Sequence, residues 1–271
     1  MWIYILITFV AAILGGTLNG VAGGGTFLTL PSLIWAGVLP VEANATSTTA
    51  LWPGSAAAIW ALRKELLHQN KTLLLVLGMT GFVGGAIGAL LLIVTPQSTF
   101  VLLIPYLLLL ATVLFAISPR ISASMKKRAA ARQKERLTVE GTGASSRPSW
   151  RGLSLIAALE LLIAIYGGYF GGGLGILTLA VLGLIGMEDL NEMNAVKNTL
   201  VVCINGVAII LFIVFGVIIW FNALIMIVGA IIGGYGGVYF ARKLDQRIVR
   251  SFVLLVGVVM TVYFFYKYGF F

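Results

Sequence analysis

The sequence predicts an all-α integral membrane protein made of two inverted-topology halves of about five helical segments each. In each half the first two segments are short or re-entrant around a Gly-rich break. Three observations lead to this reading. Of 271 residues, 60% are hydrophobic and only 10% charged, and the mean hydropathy is +1.05, outside the balance of a soluble domain. Apolar stretches of ~20 residues recur along the chain, enough to cross the hydrocarbon core as helices, and the alternation of a β-barrel is absent. Finally, a Gly-rich run occurs twice. Gly15-Gly16-Thr17-Leu18-Asn19-Gly20-Val21-Ala22-Gly23-Gly24-Gly25-Thr26 is followed about 150 residues later by Tyr166-Gly167-Gly168-Tyr169-Phe170-Gly171-Gly172-Gly173-Leu174-Gly175.

The first apolar segment spans Ile3 to about Leu18 and the second Phe27 to Leu39. At ~1.5 Å per residue the second reaches about 20 Å, short of a comfortable crossing. The pair is therefore expected to form a hairpin of partial helices whose Gly-rich tip ends inside the protein, because irregular backbone is tolerated at membrane depth only when buried or lining a cavity. Asn44 to Leu62 is the third segment, despite Pro53 and Gly54. Thr72 to Val94 is the fourth, with the small-residue face Gly78, Gly81, Gly84, Gly85 and Gly88 that lets helices approach. Phe100 to Ile117 is the fifth. Ser118 to Pro148 is the one long polar stretch, basic and then Gly/Ser-rich, and reads as a linker. The resulting division is 1–117 for the first repeat, 118–150 for a basic cytoplasmic linker and 151–271 for the second repeat.

The second half follows the same order: Leu153 to Ile165, the Gly-rich break, Ile176 to Ile185, the acidic turn Glu188-Asp189, Asn194 to Phe215, the Gly-rich Phe221 to Phe240, and Phe252 to Tyr266. The net charge of +9 would bring nucleic acid to mind in a soluble protein, yet half of the eighteen basic residues lie between Arg120 and Arg151. Beside membrane helices this is a cytoplasmic loop by the positive-inside rule, able to touch anionic lipid, and nucleic acid is not an expected partner. With the basic loops at Arg63, Arg120 to Arg151 and Arg242 to Arg250 all cytoplasmic, Pro40-Glu42 falls outside, Glu188-Asp189 inside, and both chain ends face out. An odd number of segments per half then inverts the second half relative to the first.

Chemistry-bearing residues are few. Cys203 is the single cysteine and His68 the single histidine, so neither a disulfide, a metal cluster nor a nucleophile–base set is expected, and no cofactor motif occurs. Two formal charges fall well inside apolar segments, Glu160 and Lys197, and a charge placed in hydrocarbon marks a functional hypothesis. Their similar depth allows either a neutralised pair that fixes packing, or a division of labour. In the second case Lys197 holds an anion with its ammonium and Glu160 carries a proton. The breaks offer another anion device, backbone N–H groups at the starts of the short helices, which brings in Gly23, Gly24, Gly25, Thr26, Gly171, Gly172 and Gly173. Asn19, Asn44, Thr46, Thr48, Thr49, Asn194, Asn198 and Asn205 are neutral hydrogen-bonding groups near the breaks, suited to packing or to substrate contact.

The run Gly20-x-x-Gly23-Gly24-Gly25-Thr26-Phe27-Leu28-Thr29-Leu30-Pro31, followed by Ala43-Asn44-Ala45-Thr46-Ser47-Thr48-Thr49, resembles the sulfite exporter TauE/SafE family, also called the toluene sulfonate uptake permease family. Gly171-Gly172-Gly173-Leu174-Gly175 and Asn194-Ala195-Val196-Lys197-Asn198-Thr199 carry the resemblance into the second half. It implies secondary transport of a small sulfur-containing anion, such as sulfite, sulfoacetate or another organosulfonate, across the bacterial inner membrane. Alternating access between the halves, with proton coupling, is the expected mechanism, and an oligomer is compatible with it. The competing expectations are an anion channel, which inverted repeats and partial helices also build, and, weakest, a membrane-embedded enzyme.

Overall fold

The computed structural model describes residues 2–21, 24–67, 69–138, 150–184, 187, 189–241 and 246–268. Its elements are all helices: α1 (Trp2–Val21), α2 (Thr26–Trp35), α3 (Pro40–Ala61), α4 (Arg63–Leu67), α5 (Lys71–Val94), α6 (Gln97–Thr138), α7 (Trp150–Tyr169), α8 (Leu174–Leu184), α9 (Leu190–Val214), α10 (Trp220–Ala241) and α11 (Gln246–Lys267). Among the described residues, four helices are long and apolar enough to cross a membrane, at Trp2–Asn19, Lys71–Val94, Gln97–Ile117 and Asn191–Val214. The expected segments at Glu188, Arg242 and Lys243 and the 139–149 part of the linker lie outside the described residues.

Local chemistry sets the helix boundaries. Pro40 opens α3 at its first turn, where a missing N–H costs nothing. Asn70 caps α5 by accepting from the N–H groups of Thr72 and Leu73, and Asp189 caps α9 through Asn191 and Glu192. The helices α2 and α8 have 10 and 11 residues, about 15–17 Å at 1.5 Å per residue, half the hydrocarbon thickness. Eight residues of α2 are buried, Thr26, Phe27, Thr29, Leu30, Pro31, Ser32, Leu33 and Ile34, so it is enclosed by protein on nearly every side.

Several boundaries differ from the sequence expectation: α2 ends at Trp35, α3 begins at Pro40 and α7 runs on to Tyr169, so that Gly167 and Gly168 are helical, and the short α4 was not expected. The helix α1 runs on to Val21, so Gly15, Gly16 and Asn19 are helical and the first break is confined to the residues between Val21 and Thr26. The polar stretch beginning at Ser118 is helical as far as Thr138, as a continuation of α6. The residues from Met125 to Leu137 are mostly Ala, Lys, Arg, Gln, Glu and Leu, which have strong intrinsic helix preference and need no apolar face to keep a helix going.

Packing joins distant parts of the chain. The helix α1 lies along α10 and α5 along α7, while α10 also packs on α3 and α5 on α9. At the centre α3 crosses α9, and α6 lies beside α11. The short α2 fits among α1, α3 and α11, and the short α8 among α7, α9 and α6. Glycine allows the two longest crossings. A Cβ on Gly16 or Gly233 would run into the carbonyl oxygens of Ala230 and Ile13, and a Cβ on Gly88 or Gly168 into those of Ile165 and Gly85. One hydrophobic core runs through both halves, from Leu30, Leu33 and Phe27 of α2 through Phe100, Ile104 and Leu108 of α6 to Phe212 of α9 and Phe264 of α11. Apolar residues such as Leu75, Met79, Leu90, Leu110, Leu224 and Val259 face outward.

Candidate functional site

The two breaks are held by different means. In the first, Asn19 Oδ1 accepts the N–H of Gly25 at 3.0 Å, bracing the start of α2 from the last turn of α1. A Cβ on Gly25 would collide with the carbonyl of Gly15, so the chain passes directly over α1. In the second, Gly171 and Gly173 take φ of 77° and 79°, a left-handed backbone that side chains disfavour. There the Tyr166 hydroxyl donates to Gly172 O at 2.7 Å. The amides of Phe27 and Leu174 bond locally to Gly24 O and Gly171 O. The Gly25 N–H is thus engaged in holding the first break.

A cavity of about 20 Å³ lies where the breaks meet the α3–α9 crossing. Asn19 and Thr26 line it from the first break, and Gly171, Leu174 and Gly175 from the second. The helix α3 contributes Thr48, Leu51 and Ser55, and α9 contributes Lys197, Asn198, Val201 and Asn205. On each long helix the lining residues recur every three to four positions, which places them on one helical face. They also fall in pairs 150 residues apart: Thr48 with Asn198, Leu51 with Val201, Ser55 with Asn205. Trp52 ties the crossing together through Nε1–H to Val202 O at 3.0 Å, and these two positions are again 150 apart.

Lys197 is the one charged group in this lining. Its side chain is 1% exposed and its Nζ has no hydrogen-bond partner among the described residues. Asn198 Nδ2 and Asn205 Oδ1 are likewise buried without a partner. The position 150 residues before Lys197 is Ser47, whose hydroxyl is hydrogen-bonded to that of Thr29 at 2.6 Å. Positions 47 and 197 thus differ, with a hydrogen-bonded hydroxyl at the first and, at the second, an ammonium that has no hydrogen-bond partner among the described residues. Unpartnered buried polar groups are uncommon and costly.

Other sequence-predicted residues are placed differently. Asn44 lies outside the lining and donates from Nδ2 to Tyr169 O at 2.9 Å, linking α3 to the end of α7. Thr46 Oγ1 accepts the N–H of Ile219 at 3.0 Å, serving the start of α10. Thr49 Oγ1 donates to Ala45 O within its own helix. Gly24, Gly172, Gly173 and Asn194 lie outside the lining, with Gly24 against Phe27 and Phe115 and Gly172 against Phe170. Gly23 lies outside the described residues. Ser55, Leu51 and Val201 were not anticipated, although each follows from Thr48 or Asn198 by stepping three or seven residues along the same helical face.

Glu160 does not pair with Lys197. It is fully buried, both carboxyl oxygens lack a hydrogen-bond partner among the described residues, and it takes no part in the cavity lining. On α7 it falls one helical turn from Ile156 and one from Ala164, which pack in the apolar clusters around Leu77, Val196 and Leu200 and around Leu174 and Ile204. Among the described residues no group of His, Cys, Asp and Glu is arranged to hold a metal ion.

Residues 8–264 match the family model described as sulfite exporter TauE/SafE. The chain is 27% identical over 257 residues to "Probable membrane transporter protein YfcA" of Escherichia coli (strain K12), covering 94% of this chain and 87% of that protein. It is 26% identical over 256 residues to "Probable membrane transporter protein ORF9" of Sinorhizobium sp, with 94% and 89% covered. A "Probable membrane transporter protein" of Haemophilus influenzae is 25% identical over 267 residues, with 98% and 96% covered. No solved structure matches the chain.

Proposed function

Since the chain belongs to the sulfite exporter TauE/SafE family of multi-pass membrane transporters, we propose that it moves a small sulfur-containing anion, sulfite or an organosulfonate, by proton-coupled alternating access. The observation that carries this reading is Lys197, a buried ammonium without a protein partner in a cavity walled by both halves. An anion bound there would supply the missing partner, and the neutral groups of Asn19, Thr26, Thr48, Asn198 and Asn205 would complete its hydrogen bonds.

The two halves are read as an inverted repeat. Exchanging α1, α2, α3, α5 and α6 for α7, α8, α9, α10 and α11 turns the α1–α10 packing into α7–α5, and α3–α10 into α9–α5. The pairs α3–α9 and α6–α11 map onto themselves. That exchange supports a pseudo-twofold axis through the α3–α9 crossing, with the re-entrant α2 and α8 approaching from opposite faces. A cavity of about 20 Å³ has room for roughly one water and none for a sulfonate. Loading the substrate therefore requires the breaks to move against the crossing, as alternating access demands. Glu160, away from the cavity in apolar surroundings, is the proton carrier in this scheme. A proton there removes an uncompensated charge from the protein interior. The bacterial inner membrane, with both termini outside and the 118–150 loop cytoplasmic, is the orientation the basic clusters favour.

The test is flux into proteoliposomes with sulfite, sulfoacetate, taurine and sulfate, each with and without an imposed pH gradient. Saturable flux of a sulfur anion that responds to the gradient is expected. Unsaturated, channel-like currents indifferent to the gradient would contradict the reading.

A further inference from the structure

We infer that the cavity selects by charge number: it is a site for monoanions, and dianions of the same shape are rejected. This rests on the cavity being the anion site proposed above and adds which charge state of the anion it accepts. Lys197 contributes one positive charge, and every other lining side chain is neutral. The elements packed on α9 carry charged residues of their own. Among the described side chains these are Glu42 on α3, Arg63, Lys64 and Glu65 on α4, Lys71 on α5 and Glu160 on α7, and none of them lines the cavity.

One ammonium and one monoanion leave the site neutral. A dianion leaves one negative charge unbalanced, away from water, with no second cation to answer it. An unpaired buried charge is among the most costly arrangements in a protein, whereas neutral amides and hydroxyls solvate without adding charge. Leu51, Val201 and Leu174 make part of the wall apolar, which suits a substrate with one hydrocarbon corner better than one with an oxygen at all four corners. The 150-residue pairing sharpens the point. A symmetric site would carry a second lysine in place of Ser47, but Ser47 is neutral and already bonded to Thr29. For sulfite, the accepted form is accordingly the singly protonated one, and a simple monosulfonate is taken ahead of sulfoacetate, whose sulfonate and carboxylate give it two negative charges at neutral pH.

Three tetrahedral probes of nearly one shape separate charge from size: dimethyl sulfone (neutral), methanesulfonate (one negative charge) and sulfate (two). Binding of each to the purified full-length protein is measured by titration calorimetry at one pH. Methanesulfonate is expected to bind at least tenfold more tightly than either of the others. Lys197→Gln should bring methanesulfonate down to the level of dimethyl sulfone. Asn205→Lys, which adds a second cation to the wall, should narrow the gap between methanesulfonate and sulfate at least tenfold. That last arm separates charge counting from the stronger hydration of sulfate. Wild-type protein that binds sulfate as well as methanesulfonate overturns the inference while leaving an anion site in place. An unchanged methanesulfonate-to-sulfate ratio in an Asn205→Lys protein that still binds methanesulfonate also overturns it. If no sulfur anion binds, or dimethyl sulfone binds as well as methanesulfonate, the proposed function fails with it.

Discussion

The glycine crossings give a matched pair of substitutions on one helix. Gly78 and Gly88 both sit inside α5, Lys71–Val94. Around Gly78 a Cβ would meet nothing within 4 Å. At Gly88 it would run into Ile165 O and lie 2.7 Å from Tyr169 N and 3.0 Å from Gly168 C. All three are backbone atoms of α7, so no rotamer change relieves the clash and the helices must separate. Alanine in a helix interior gains up to about 1 kcal/mol over glycine, while overpacking costs roughly 1–3 kcal/mol. Gly78→Ala should therefore range from neutral to about 1 kcal/mol stabilising, and Gly88→Ala should lose about 1–2 kcal/mol net. Reversible unfolding in mixed detergent micelles measures both. If the two variants shift stability by the same amount, or Gly88→Ala equals wild type, the close α5–α7 contact is not as described.

Two threonines two residues apart on α3 should separate folding from transport. Thr46→Val deprives the Ile219 N–H of its acceptor and should cost about 0.5–1.5 kcal/mol with KM unchanged, whereas Thr48→Val, in the cavity lining, should raise KM with little loss of stability. Unfolding and flux measured on both variants check this, and the reverse pattern would exchange their roles. Glu160→Gln keeps the shape but cannot exchange a proton. Flux without a gradient should stay within severalfold of wild type, and the acceleration by a pH gradient should vanish. A variant that still responds to the gradient removes Glu160 from the coupling scheme.

Much of the helix order was legible because period and length carry it: long apolar runs ended by Pro40, Arg63, Thr95 and Gly216 leave few ways to divide the chain. Two features resisted. Gly15 and Gly16 read as part of a flexible break, yet they are helical, since glycine that serves a crossing and glycine that serves a turn look alike until the partner helix is known. The polar run after Ser118 read as linker because its hydropathy falls, although its residues from Met125 to Leu137 are good helix formers. At the site, Lys197 was visible as a charge inside an apolar run. The sequence could not tell Thr48 from Thr46 or Thr49, because that depends on which face of α3 meets α9. Glu160 and Lys197 share a depth by counting residues, but depth along two helices says nothing about which sides they turn to each other.

The central claim is that the transported anion sits on the Lys197 ammonium. It is tested most directly by the rate of sulfonate flux in proteoliposomes for Lys197→Gln beside Lys197→Arg. A hydrogen bond to a charged group contributes about 1.5–3 kcal/mol, which at about 1.4 kcal/mol per decade corresponds to roughly a ten- to hundredfold loss. The account predicts that loss for Lys197→Gln and partial retention for Lys197→Arg, with both proteins monodisperse after reconstitution. Wild-type flux and KM in Lys197→Gln would contradict it.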